Sequence, residues 1–271
     1  MQHRLITCLQ RRGNLGKSTV LAALAQYCDQ RRVSWQGFDL DPDHRSLSRL
    51  FPESVSLREL GDEPEGEIIK LARVATEAPV TLFDPRAHVA DTVLRGWDMI
   101  RFPQQFIAGG GRITSLVFPG DDLELLTDID AIVTRMGGTI DYVVVRNPAR
   151  QPRCRMFDGS QLETDLRQLG AVFLEIPTLL ALARNHLAAL ETELGRGVTH
   201  VEAVANRELP LDGLVRLVIE DWVKTVFRRL DAVADQVLPA AYAAKIGRVD
   251  PMSSTEAPRI TRGAKINRQN L

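Results

Sequence analysis

Arg11-Arg12-Gly13-Asn14-Leu15-Gly16-Lys17-Ser18-Thr19 follows a short apolar run, Leu5–Leu9, and opens a segment of helical apolar spacing, Lys17–Gln30. A strand, a loop ending in Gly-Lys-Ser and a helix are the parts of a phosphate loop. Glycines let backbone N–H groups close around phosphate oxygens, and the start of the helix adds its positive dipole end. Lys17 would neutralise the β- and γ-phosphates, and the Ser18 hydroxyl would hold Mg²⁺. Gly13, Asn14, Leu15, Gly16 and Thr19 complete the set of candidate nucleotide-binding residues in this stretch. The strict pattern has glycine five positions before Gly16, where this chain has Arg11, so the standard form is missed by one residue.

Beyond this stretch, short β-branched runs alternate with segments of helical spacing. Strands are predicted at Val33–Phe38 (ending at Asp39), Val80–Phe83, Ile113–Phe118, Tyr142–Val145 and Ala171–Ile176, with crossover helices such as Asp122–Met136 and Gln161–Leu169. Such alternation implies an α/β fold with a doubly wound, mostly parallel sheet. The final third reads as helical, over Thr178–Leu194 and Asp212–Val237. Leu214, Leu217, Val218, Trp222, Val226, Leu230 and Val233 form a stripe expected to pack on the sheet, with a partner-binding helix as the sharper alternative. One domain is expected over 1–240. A basic tail is expected over 241–271, where Arg259, Arg262, Lys265 and Arg268 face only Asp250 and Glu256.

The 271 residues carry 34 Lys+Arg against 35 Asp+Glu, a net charge of -1, which removes a simple polycation argument for nucleic-acid binding. With 44% apolar residues the chain can build a core without staples. Cys8, Cys28 and Cys154 are too few and too scattered for a disulfide framework or a zinc site. No apolar run reaches the roughly 20 residues that span a bilayer, and the start lacks a signal-peptide pattern, so a cytoplasmic location is expected. His44, His88, His186 and His200 show no metal-ligand spacing, and Gly109–Gly111 lacks the context of a second phosphate site. Arg150, Arg153 and Arg155 form a local basic loop, read as solvated.

The phosphate loop resembles that of the deviant-Walker ParA/MinD ATPases, Lys-Gly-Gly-x-Gly-Lys-Ser/Thr. Aligned from Gly16, Arg12 falls on the signature lysine and Asn14 replaces the second glycine. In that family the signature lysine reaches the partner's phosphates across a nucleotide-sandwich dimer, so the resemblance implies a catalytic role for Arg12 beside Lys17. Phe38-Asp39-Leu40-Asp41-Pro42-Asp43 resembles the family's Asp-x-Asp-Pro segment; Asp39 would lie near the Mg²⁺ shell and Asp41 would position the attacking water. Thr81-Leu82-Phe83-Asp84-Pro85 has the Walker B form, with Asp84 holding Mg²⁺ through water. Tyr142-Val143-Val144-Val145-Arg146-Asn147-Pro148 resembles the family's fifth-strand asparagine segment, implying an adenine contact for Asn147. Glu175-Ile176-Pro177 resembles the later strand whose trailing loop, at Pro177, frames the base.

Within the family the wording is most similar to plasmid conjugation and stability proteins of the TraL/StbB type. The likeness rests on Gln10, Leu24–Tyr27, Val144–Asn147, Phe157-Asp158, Leu169-Gly170-Ala171 and Ile176-Pro177, and covers roughly Leu5 to Leu238. It implies a slow Mg-ATPase acting as a dimerising switch in plasmid partition, stability or conjugative transfer. Its cofactors would be ATP and Mg²⁺, and its partners a second copy of the chain and DNA or a plasmid-transfer protein. The departures at Arg11, Arg12 and Asn14 favour an alternative, a hydrolysis-deficient nucleotide-binding scaffold. A small-molecule kinase is a weaker third reading, because no lid or acceptor site is apparent.

Overall fold

The computed structural model describes residues 2–246. Its centre is a seven-stranded sheet in which every neighbouring pair is parallel. The strands are β1 (Arg4–Thr7), β2 (Trp35–Asp39), β3 (Val55–Leu57), β4 (Val80–Asp84), β5 (Arg112–Val117), β6 (Asp141–Arg146) and β7 (Val172–Glu175), in spatial order β3-β2-β4-β1-β5-β6-β7. The helices are α1 (Lys17–Gln30), α2 (Ser46–Leu50), α3 (Pro64–Val74), α4 (Ala90–Met99), α5 (Phe102–Ala108), α6 (Leu123–Met136), α7 (Gln161–Gln168), α8 (Ala181–Leu194), α9 (His200–Ala205), α10 (Gly213–Ala232), α11 (Ala234–Val237) and α12 (Ala240–Ile246).

Both faces of the sheet are covered, so the inner strands are apolar without alternation. Tyr142 through Val145 of β6 are buried at 1% exposure or less. One core lies under α1, α8 and α10 and takes in Ile6, Leu24 and Leu230. The other lies under α3–α7 and takes in Leu5, Trp97 and Ile129. The chain leaves β1 toward β2, returns through β4, and then crosses to β5 on the other side of β1. Ligands bind at such reversals, outside the carboxyl ends of the strands.

A buried arginine ties the C-terminal helices to the opposite, amino end of the sheet. Arg4 of β1 is 5% exposed; its guanidinium donates to Thr114 Oγ1 (2.8 Å) and Asp141 Oδ2 (2.7 Å). It also donates to the carbonyls of Asp235 and Gln236 in α11. Asp231 of α10 similarly binds α1 by accepting from Tyr27 (2.8 Å) and Arg31 (2.6 Å).

Two expectations change. The α10 stripe is rotated at its start: Val215, Ile219, Trp222, Val226 and Leu230 are buried, whereas Leu214 and Leu217 are 73% and 60% exposed. The cause is that these first turns pack on α8 and α9, with buried Arg216 donating to the carbonyls of Ala203, Asn206 and Leu209. The single helix expected to Val237 breaks at Val233 into α10 and α11. Of the segment 241–271, the described residues 241–246 belong to α12, with Ala243 buried. Arg259, Arg262, Lys265 and Arg268 lie outside the described residues.

Replacing Arg4 by alanine should lower stability by about 2–3 kcal/mol, because a buried ion pair loses one partner while Arg112 still neutralises Asp141. Urea denaturation should show the midpoint falling at unchanged slope.

Candidate functional site

The loop between β1 and α1 lies at the carboxyl end of the central strand. Two left-handed residues shape it, Asn14 (φ 60°) and Gly16 (φ 87°). Asparagine is among the few side chains that tolerate this region. Glycine is required at 16 for a second reason: a Cβ there would stand 2.3 Å from Asn147 Nδ2. That amide, at the end of β6, donates to the Leu15 carbonyl (3.0 Å) and fixes the loop from across the sheet. Gln10 fixes its other end, where Nε2 donates to the Phe118 carbonyl (3.1 Å) and Oε1 accepts from the Phe118 N–H (2.6 Å).

The N-cap of α1 is Gly16, which has no side chain to cap the helix. The first turn of α1 therefore directs uncapped N–H groups and a positive dipole end into the loop. Lys17 is buried, and its Nζ donates to the Gln10 carbonyl (2.8 Å), so the ammonium is held inside the cradle. Ser18 follows, half-buried, and Thr19 is exposed. This arrangement fits a phosphate chain.

The metal side also has a suitable donor. Asp84 ends β4 in register with Asp39, which ends β2. It is 4% exposed, and burial pushes its carboxyl up to about 7. The Ser18 hydroxyl and the Lys17 charge oppose that rise, while Asp39 and Asp41 add to it. Asp84 and Ser18 thus offer hard oxygen donors side by side, suited to Mg²⁺, which keeps most of its other ligands as water and phosphate. Among the described residues no three His, Cys, Asp or Glu side chains converge on one metal position.

Asp39 occupies a different place from a free metal ligand. Its Oδ1 accepts from the Asp41 N–H (3.0 Å), and its Oδ2 accepts from the Leu47 (3.0 Å) and Ser48 (2.9 Å) N–H groups. It is fully buried and holds the start of α2 and the turn bearing Asp41. Asp41 accepts from the N–H groups of Asp43 and His44, and its Oδ2 lies 3.0 Å from His44 Nδ1. Arg86, two residues past Asp84, pairs with Asp43 (2.7 Å) and so bridges the segments that follow β2 and β4. Gly13 faces the second of these segments, with its Cβ position 3.9 Å from Ala87 Cβ.

Arg12 is engaged within its own chain, 2.8 Å from Asp122 and 2.9 Å from Glu124. Arg11 is likewise held by Asp128 (3.0 Å). These partners are Asp122, the N-cap of α6, and Glu124 and Asp128, one helical turn apart; the 124/128 spacing is the signal the sequence offers for them. Pro177 is half-buried past β7, and its carbonyl accepts from Trp222 Nε1 (2.6 Å). The site therefore gathers Gly13–Ser18, Asp39, Asp41, Asp84 and Asn147 at one end of the sheet, with Pro177 farther out beyond β7.

No family model matches the chain, and no curated protein matches it. Among solved structures it is similar to the MinC:MinD cell division protein complex of Aquifex aeolicus, at 13% identity and a TM-score of 0.42 over 83% of this chain and 96% of that one. The MinD cell division protein of the same organism gives 14% identity and a TM-score of 0.41 over 83% and 97%. A plasmid partition protein from Borrelia burgdorferi gives 10% and 0.38 over 65% and 89%. Likenesses of this size concern chain path alone, and function is read from the loop and its neighbours.

Gly16→Ala should displace Asn147 and cost at least tenfold in nucleotide affinity, measured by calorimetry. A proton must also leave Asp84 before it can serve a cation, so Mg²⁺-dependent affinity should rise from pH 6 to pH 8, and Asp84→Asn should abolish that slope. The same raised carboxyl favours the ligand-free native state while protonated. Its contribution is full below about pH 4 and is lost as pH rises to about 7, so thermal stability should fall between these values, and less steeply in Asp84→Asn.

Proposed function

We propose that this chain is a Mg-ATP-binding P-loop ATPase of the ParA/MinD type, acting as a nucleotide-dependent switch. The observation that carries the reading is buried Lys17 held inside the loop that opens α1, with buried Asp84 beside Ser18. Bound Mg²⁺ would supply charge neutralisation at the β- and γ-phosphates. The chain's own part is positioning. Loop N–H groups and Lys17 hold the phosphates, Ser18 and Asp84 face the cation, and Asp41, oriented by Asp39 and His44, aligns water for attack. Asn147 braces the loop near the base, and Pro177 borders the nucleoside side.

In this reading ATP favours a dimer of two chains, and slow hydrolysis resets it. Arg12 would leave Asp122 and Glu124 to reach the second copy's phosphates, where a guanidinium can grip with two parallel bonds. The wording shared with TraL/StbB-type proteins supports a role in plasmid partition, stability or conjugative transfer in the cytoplasm, with DNA or a transfer protein as partner. No helix among the described residues is long and apolar enough to cross a membrane. A second reading, a scaffold that holds nucleotide without turnover, is favoured by the intrachain pairing of Arg12 and by Asn14 in place of glycine.

Lys17→Ala should weaken ATP binding by more than tenfold, about 1.4 kcal/mol or more. Asp41→Ala should keep binding while cutting phosphate release at least tenfold. Size-exclusion mass with ATP separates the two readings: an Arg12-dependent dimer supports the switch, and binding without change of mass supports the scaffold.

A further inference from the structure

We infer that Arg150 is a nucleoside clamp, its guanidinium lying against the face of the base. The inference rests on the mononucleotide reading above. Past β6, the N–H groups of Arg150 (2.9 Å) and Gln151 (2.8 Å) both donate to the Asn147 carbonyl, folding the Asn147-Pro148-Ala149-Arg150 turn back on itself. That turn brings the Arg150 side chain to the phosphate loop, with Cγ 3.8 Å from the Cβ position of Gly16, beside the Asn147 amide. Arg11, Arg12, Arg86 and Arg146 around the site are each paired with a carboxylate. Arg150 is exposed and has no such partner among the described residues.

The sheet order says which part of a nucleotide this cation meets. Asp84 ends β4, and β6 lies three strands away, roughly 14 Å at about 4.8 Å per strand. The cation-bound phosphates belong at the β4 side, over Ser18, and a nucleotide laid along the loop brings its nucleoside to the β6 side. Phosphate charge there is already met by Lys17 and the loop N–H groups. A planar guanidinium stacks on an aromatic face, which a lysine ammonium does not reproduce.

The test is calorimetric titration of ADP with Mg²⁺ into wild type, Arg150→Ala, Arg150→Lys and Lys17→Ala. Melting curves establish that the exposed Arg150 variants fold normally. The clamp predicts that Arg150→Ala binds ADP about tenfold more weakly and that Arg150→Lys recovers little of the loss. Unchanged affinity in Arg150→Ala would overturn it. So would full recovery in Arg150→Lys, which would mark a point charge serving phosphate. If wild type binds none of ATP, ADP, GTP and GDP, the nucleotide reading itself fails and the clamp with it; a loss confined to Lys17→Ala leaves that reading standing and removes only the clamp.

Discussion

A single close approach governs the site: the Asn147 amide lies where a Cβ at position 16 would have to be. Only glycine permits it, and only in this arrangement does the Asn147 Nδ2–Leu15 carbonyl bond close the loop from the β6 side. Gln10 does the same work from the β5 side, its side-chain amide pairing with both backbone groups of Phe118. Held at both ends, the loop has little freedom left to lose when an anion arrives, and Lys17 is already tethered inside it through the Gln10 carbonyl. Preorganisation of this kind is what makes electrostatic stabilisation effective.

Charge is distributed around that cradle with equal economy. Three carboxylates gather at the ends of β2 and β4, and each has a different environment. Asp39 is saturated by three backbone N–H groups and works as a brace. Asp41 is half-exposed beside His44. Asp84 is buried and reluctant to ionise without a cation. Environment, more than residue type, separates their roles. On the opposite flank Arg11 and Arg12 are held by α6, so any reach toward a second molecule has to displace Asp122 and Glu124. At about half exposure for the Arg12 side chain, those pairs are screened and exchangeable.

Much of this was legible in the sequence, for a physical reason. Central strands buried on both faces read as unbroken apolar runs, so six of the seven strands were located from them, and α1 was bounded at Lys17 and Gln30. Asp84 stood out because a carboxylate ended such a run. β3, three residues at the sheet edge, carries too short a pattern to be seen. The first turns of α10 misled because Leu214 and Leu217 share the helical period of the buried stripe yet face away from α8 and α9. Side-chain partners were the least legible. Nothing local in Asp39 announces that distant Leu47 and Ser48 need its oxygens, and nothing in Arg12 announces Glu124, 112 residues on.

The central claim is that residues 13–19 form a phosphate cradle. Backbone amide resonances followed during titration with ADP and Mg²⁺ test it most directly. The account predicts saturable shifts concentrated at Asn14–Thr19 and at the Asn147 side-chain amide. Shifts confined to other parts of the molecule, or none at millimolar ADP, would contradict it.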